Sequence, residues 1–109
     1  MQVLDGRGGP LYENPRTGFR SYFVSFDGGA RVELMSRPAH EPEQRAAEDH
    51  SLGYAHVAFR LGSRQAVDAA VVRLEAQDVP ILGRPRVTGD GYYEAVIADP
   101  EGNRIELVE

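Results

Sequence analysis

The feature that most constrains this chain is a repeat inside it. Gly18 to Ser36, GFRSYFVSFDGGARVELMS, lies on the tail Gly91 to Glu109, GYYEAVIADPEGNRIELVE, at a constant offset of 73. Gly18 falls on Gly91, Gly29 on Gly102, Arg31 on Arg104, Glu33 on Glu106 and Leu34 on Leu107, and Phe19/Tyr92, Val24/Ile97 and Val32/Ile105 are conservative pairs in the same register. Two copies of a segment imply two copies of one supersecondary unit. In the tail that unit reads as two strands, Tyr92 to Ala98 and Asn103 to Val108. Asp99-Pro100-Glu101-Gly102 joins them as a turn in which Pro fixes φ and Gly takes the left-handed position. Glu106 stands between Ile105 and Leu107, so one face of the last strand is dry and the other carries an acid. The repeat makes Glu33 its pseudo-equivalent.

The second half supplies what the hairpin lacks. In Tyr54 to Leu61, YAHVAFRL, the residues Ala55, Val57, Phe59 and Leu61 alternate with Tyr54, His56, Ala58 and Arg60, which predicts a strand with His56 facing away from the apolar layer. Ser63 is placed to N-cap a helix whose Val67, Ala70, Val71 and Leu74 form one buried stripe. That helix ends near Asp78, because Pro80 disfavours helical geometry at Val79. A short strand around Ile81 to Leu82, a loop from Arg86 to Gly91 and the terminal hairpin follow, so the half runs β-α-β-β-β.

In the first half, Asp5-Gly6-Arg7-Gly8-Gly9-Pro10 reads as a turn and Leu11 to Glu13 as a short strand ended by Asn14-Pro15. The glycines lack the Lys and Ser/Thr of a phosphate loop. Phe19 to Phe26 and Arg31 to Met35 form the first hairpin around Asp27-Gly28-Gly29. Ser36 to Gly53 is a polar connector carrying His40 and His50. Subtracting the offset places the counterpart of His56 ahead of Met1 and aligns Met1 to Asp5 with Leu74 to Asp78, the end of a helix. The expectation is that the chain lacks the opening strand and helix of its first unit.

Length fits one domain. A net charge of −5 and a pI near 5.2 argue against a nucleic-acid footprint, which needs a basic face. No apolar run is long enough to span a bilayer, and no basic-then-apolar start resembles a signal peptide. The chain has no cysteine, which excludes disulfides, thiolate metal sites and a cysteine nucleophile and suits a reducing cytoplasm. Any metal must be held by nitrogen and oxygen; imidazole with carboxylate is an ordinary set for Zn, Ni, Mn, Fe or Co.

Taken jointly, GYAHVAFRL at 53–61, the helix and DPEGNRIELVE at 99–109 resemble the C-terminal module of the vicinal oxygen chelate superfamily, the glyoxalase/bleomycin resistance/dioxygenase proteins. RVELM at 31–35 resembles the end of that family's first module, and Glu13-Asn14-Pro15 before an aromatic strand resembles bacterial glyoxalase I-like members. The resemblance implies an α+β fold of paired βαβββ modules whose curved mixed sheets form a cup. Here 1–36 would be a truncated first module, 37–53 a linker and 54–109 a complete module. It implies a metal site on the first, fourth, fifth and eighth strands, of which this chain matches the fourth with Glu33, the fifth with His56 and the eighth with Glu106. The first-strand histidine has no match.

Zn or Ni would then act as a Lewis acid on a small vicinal-oxygen substrate, stabilising an enediolate, with Glu33 or Glu106 as catalytic general base in a lactoylglutathione lyase-like isomerisation. The alternatives are a non-catalytic antibiotic-binding protein of the bleomycin-resistance type and a ring-cleaving dioxygenase. The resemblance also implies a homodimer, with Glu33 of one subunit facing His56 and Glu106 of the other. Such a dimer would relieve the edge and apolar patch that a missing strand and helix leave bare.

Overall fold

The computed structural model describes residues 4–39 and 52–109; His40 and His50 lie outside them. Its contacts divide the chain into two compact units, Met1–Pro42 and Glu43–Glu109, which meet inside the polar connector.

The first unit holds β1 (Arg7–Gly8), β2 (Tyr12–Glu13), β3 (Arg20–Ser25) and β4 (Arg31–Ser36). β3 is the central strand and pairs antiparallel with the other three. The turn expected over Asp5–Pro10 is partly strand, since Arg7 and Gly8 pair with Ser25 and Val24. Gly6 permits this close approach, because a Cβ there would lie 2.5 Å from Val24 Cγ1. Pro10 has no N–H to offer the ladder, which breaks and resumes at Tyr12.

The second unit holds β5 (Val57–Arg60), α1 (Arg64–Glu75), β6 (Ile81–Val87), β7 (Tyr93–Ala98) and β8 (Arg104–Val108), the expected β-α-β-β-β order. Its mixed sheet runs β5-β8-β7-β6, with β5 parallel to β8 and the other pairs antiparallel. Val67, Ala70, Val71 and Leu74 of α1 are buried, as are Ala95, Ile97 and Leu107. The helix therefore covers one face of the sheet and leaves the other open. β6 is longer than the sequence suggests: two register shifts, Ile81/Gly83 and Gly83/Arg86, carry it past Pro85 to Val87.

Ser63 Oγ accepts the Ala66 N–H at 3.1 Å, the expected N-cap. Ser63→Ala is expected to cost about 1 kcal/mol, a drop of about 4–8 °C in Tm for a domain of this size, read by thermal denaturation. The helix stops at Glu75, a little before the expected end.

The repeat is present in the backbone. All five rungs of the β7–β8 ladder, from Glu94 opposite Val108 to Ala98 opposite Arg104, have counterparts in β3–β4 at the same offset, so that Phe23 faces Glu33 as Val96 faces Glu106. The turns agree as well. Phe26 N–H bonds to Ala30 O and Gly29 N–H to Phe26 O, as Asp99 N–H bonds to Asn103 O and Gly102 N–H to Asp99 O. Both turn glycines have positive φ, 91° at Gly29 and 81° at Gly102. Among the described residues no helix is long and apolar enough to cross a membrane.

Candidate functional site

The open face of the second sheet is set by register. Ala58 and Val96 stand opposite Glu106 on its two sides, so the side chains at 56, 58 and 60, at 94 and 96, and at 106 and 108 share one face. The opposite parity, with Ala95, Ile97 and Leu107, packs on α1. A concavity of about 660 Å³ opens on the first of these faces, lined by His56, Arg60, Tyr92, Glu94, Glu106 and Val108 among others.

His56 sits immediately ahead of β5, and its Nε2 lies 3.2 Å from Glu106 Oε2. Their side chains are 40% and 22% exposed, so the pair is open to solvent on one side and supported by the sheet on the other. Glu33 occupies the matched position on β4 of the first unit, exposed and opposite Phe23. His56 and Glu106 are thus brought together, and Glu33 belongs to the other unit. Among the described residues no three His, Cys, Asp or Glu side chains gather in a geometry able to hold a metal ion.

The facing of Arg20, Tyr92, Tyr93 and Glu94 is not set by the strands that carry them, because a slip of one residue exchanges the two faces of a strand. The ladder resolves it: Tyr92 and Glu94 line the concavity, whereas the Tyr93 hydroxyl bonds to Asp68 on α1. Arg20 belongs to the first unit, 3.4 Å from Glu13. The signal was present in the four-residue turn Asp99–Gly102, which sets Ala98 opposite Arg104 and therefore Glu94 on the face of Glu106.

Glu94 is the most perturbed acid of the site. Burial, foremost, and then the adjoining Glu106 carboxyl hold its proton affinity above the usual carboxylate range, against the pull of Arg86. Its Oε2 is buried without a hydrogen-bond partner, a costly state for a polar atom. A folded-state pKa above the unfolded value gives stability that is complete below the unfolded pKa and is lost as pH rises through the folded one. Glu94→Gln removes that titration. It is therefore expected to match the parent in Tm below the unfolded-state carboxylate pKa and to exceed it once pH has risen through the raised folded-state pKa, measured in chelator.

Two open sheets built on one repeated hairpin, one of them backed by a helix and presenting a His/Glu pair on its free face, define a glyoxalase-like α+β fold. The sequence profile of the Glyoxalase/Bleomycin resistance protein/Dioxygenase superfamily matches residues 2–107, and the chain belongs to that superfamily. Solved structures agree. The glyoxalase family protein from Enterococcus faecalis matches with a TM-score of 0.73 at 21% identity, over 99% of this chain and 81% of that one. The glyoxalase family protein from Bacillus cereus matches with 0.78 at 21%, over 99% and 80%. Glyoxalase I from Zea mays matches with 0.75 at 19%, over 94% of this chain and 35% of that longer one. At these identities the likeness is one of fold. No curated protein matches the chain in sequence.

Proposed function

We propose that the chain is a metal-dependent lyase or isomerase of the lactoylglutathione lyase type, acting on a small substrate with vicinal oxygens, in which His56, Glu106 and Glu33 hold a divalent ion. The observation that carries this reading is the 3.2 Å approach of His56 Nε2 to Glu106 Oε2 beside an open concavity. Two donors each about 2.1 Å from one ion stand about 3.0 Å apart at an octahedral angle and about 3.4 Å apart at a tetrahedral one. The spacing suits either geometry. The donor types suit Zn or Ni, with Mn, Fe and Co as further members of the same class. The unpartnered Glu94 Oε2 on the same face adds a site for a polar ligand group.

A bound ion would supply Lewis acidity towards the substrate oxygens. The protein's own part is to place that substrate. Arg60, on the concave face, offers charge-assisted donors to an anionic group. The carboxylate of Glu106 or Glu33 takes the proton from the carbon next to the carbonyl and returns it to the former carbonyl carbon, so that the net change is an isomerisation and the carboxylate is regenerated. Because two donors are fewer than a closed protein shell, Glu33 of the partner subunit completes the set in a cytoplasmic homodimer.

Metal analysis of the purified protein, followed by an isomerisation assay after loading, tests the proposal. Zinc or nickel together with turnover supports it, and iron with ring cleavage replaces it with a dioxygenase. A metal-free protein that binds a small ligand in the concavity replaces it with a sequestering binder. That second reading draws on the absence of a three-donor cluster among the described residues. Light scattering that gives a monomer overturns the shared site.

A further inference from the structure

Asp5-Gly6, Asp27-Gly28 and Asp90-Gly91 are the places where an aspartate of this chain is followed by glycine. At such a pair the glycine nitrogen can attack the carboxyl carbon of the aspartate side chain, because no Cβ shields that nitrogen and the backbone turns freely. Residue type is the same in all of them, so the surroundings decide where the ring closes. At Asp90-Gly91 both reacting groups are engaged: the Thr88 hydroxyl donates to Asp90 Oδ1, and the Gly91 N–H donates to Thr88 O at 2.9 Å. At Asp5-Gly6 the glycine is packed in. A Cβ on Gly6 would lie 2.5 Å from Val24 Cγ1 and 2.9 Å from Phe26 Cε1, so its backbone has little room to turn toward the Asp5 carboxyl.

Asp27-Gly28 has neither restraint. It lies in the turn between β3 and β4, the Asp27 side chain is 92% exposed, and a Cβ on Gly28 would meet nothing within 4 Å. The turn is closed by Phe26 N–H to Ala30 O and by Gly29 N–H to Phe26 O. Among the described residues the Gly28 N–H between them has no partner. Arg7 holds the Asp27 carboxylate at 2.8 Å, an ion pair open to solvent and therefore weak.

We propose that Asp27 is a modification site, where the folded chain converts spontaneously to isoaspartate while Asp5 and Asp90 are protected. The Gly28 nitrogen bonds to the Asp27 side-chain carboxyl carbon, the carboxyl C–O bond breaks, and the amide proton leaves with the hydroxyl as water. Water then opens the cyclic imide at either carbonyl. Opening at the side-chain carbonyl restores aspartate; opening at the main-chain carbonyl leaves the backbone running through the former side chain. No oxidant or cofactor is consumed, and the mass returns to its starting value. The product has an extra backbone carbon in the turn and carries its carboxylate on Cα, which withdraws it from Arg7 and releases a tie between β1 and the hairpin. That carboxylate is the group an isoaspartyl methyltransferase esterifies with a methyl group from S-adenosylmethionine. Nothing in this inference depends on metal binding.

The test is to hold the purified protein at neutral pH and physiological temperature, digest samples with trypsin over time, and label the peptides with such a methyltransferase. Cleavage after Arg7, Arg20, Arg31, Arg86 and Arg104 puts Asp5, Asp27 and Asp90 in separate peptides. Label is expected to accumulate in the peptide of Asp27 roughly fivefold or more faster than in the other two, the factor that one net hydrogen bond supplies. It is expected to be absent from that peptide in Asp27→Glu, whose longer side chain closes the ring poorly. In denaturant, where the local restraints are gone, the rates at the Asp–Gly pairs are expected to converge. Label appearing first at Asp5 or Asp90, or equally at all of them in the folded protein, overturns the proposal. So does an absence of label at Asp27, or a preference for Asp27 that persists unchanged in denaturant.

Discussion

His56→Ala is expected to lower the affinity of the chain for Zn or Ni by at least about 100-fold, measured by calorimetric titration at neutral pH. The reference is the 10–100-fold loss produced by disturbing a group that merely supports a ligand; removing a ligand costs at least as much. His56 is the only imidazole on the described part of the chain, and replacing it leaves Glu106 with carboxylates for company. Glu106→Gln is expected to act similarly, because the amide keeps the shape and loses the charge. Neither change should disturb folding, since His56 is an edge residue and Glu106 is partly exposed. Equal affinity in parent and His56→Ala would remove the metal from the site and leave the concavity as a binding pocket.

Leu107→Ala is expected to destabilise the chain by about 2–5 kcal/mol, the range for truncating a buried leucine, seen as a loss of m-corrected unfolding free energy in urea. Leu107 is 0% exposed beneath α1, so the deletion leaves a cavity that sheet and helix can close only by moving together. Leu34→Ala, at the matched position of the repeat, is expected to change stability by no more than about 0.5 kcal/mol, as at most surface sites, because Leu34 is 43% exposed. Two leucines with the same backbone surroundings thus differ through what lies over them. Comparable losses at both positions would show that the first sheet is covered in solution.

Several elements were legible because their signals are local or periodic. The stripe Val67, Ala70, Val71, Leu74 announces a buried helix face, and Ser63 its cap. The turn Asp99–Gly102 and its shadow at Phe26–Gly29 announce two hairpins of one register. The pairing of His56 with Glu106 was legible through resemblance, and the sheet realises it because parallel pairing sets Ala58 opposite Glu106. β1 was missed because Gly8 and Gly9 before Pro10 have turn composition, and only the approach of Gly6 to Val24 makes Arg7–Gly8 a strand. The length of β6 was missed because bulges spoil a two-residue period. Glu94 went unassigned because a slip of one residue exchanges the two faces of a strand.

By itself the sequence determined the doubled hairpin, the helix with its buried stripe, the absence of thiol chemistry and the identity of the candidate donors, for these depend on residue type and spacing along the chain. The tertiary structure decided which parity of β7 joins Glu106, that one carboxyl oxygen of the half-buried Glu94 is enclosed without a partner, and that Leu34 stands exposed where Leu107 is covered. Those are facts about neighbours distant in sequence. Burial and proton affinity are set by what packs across a strand, and no pattern within the strand records its partner.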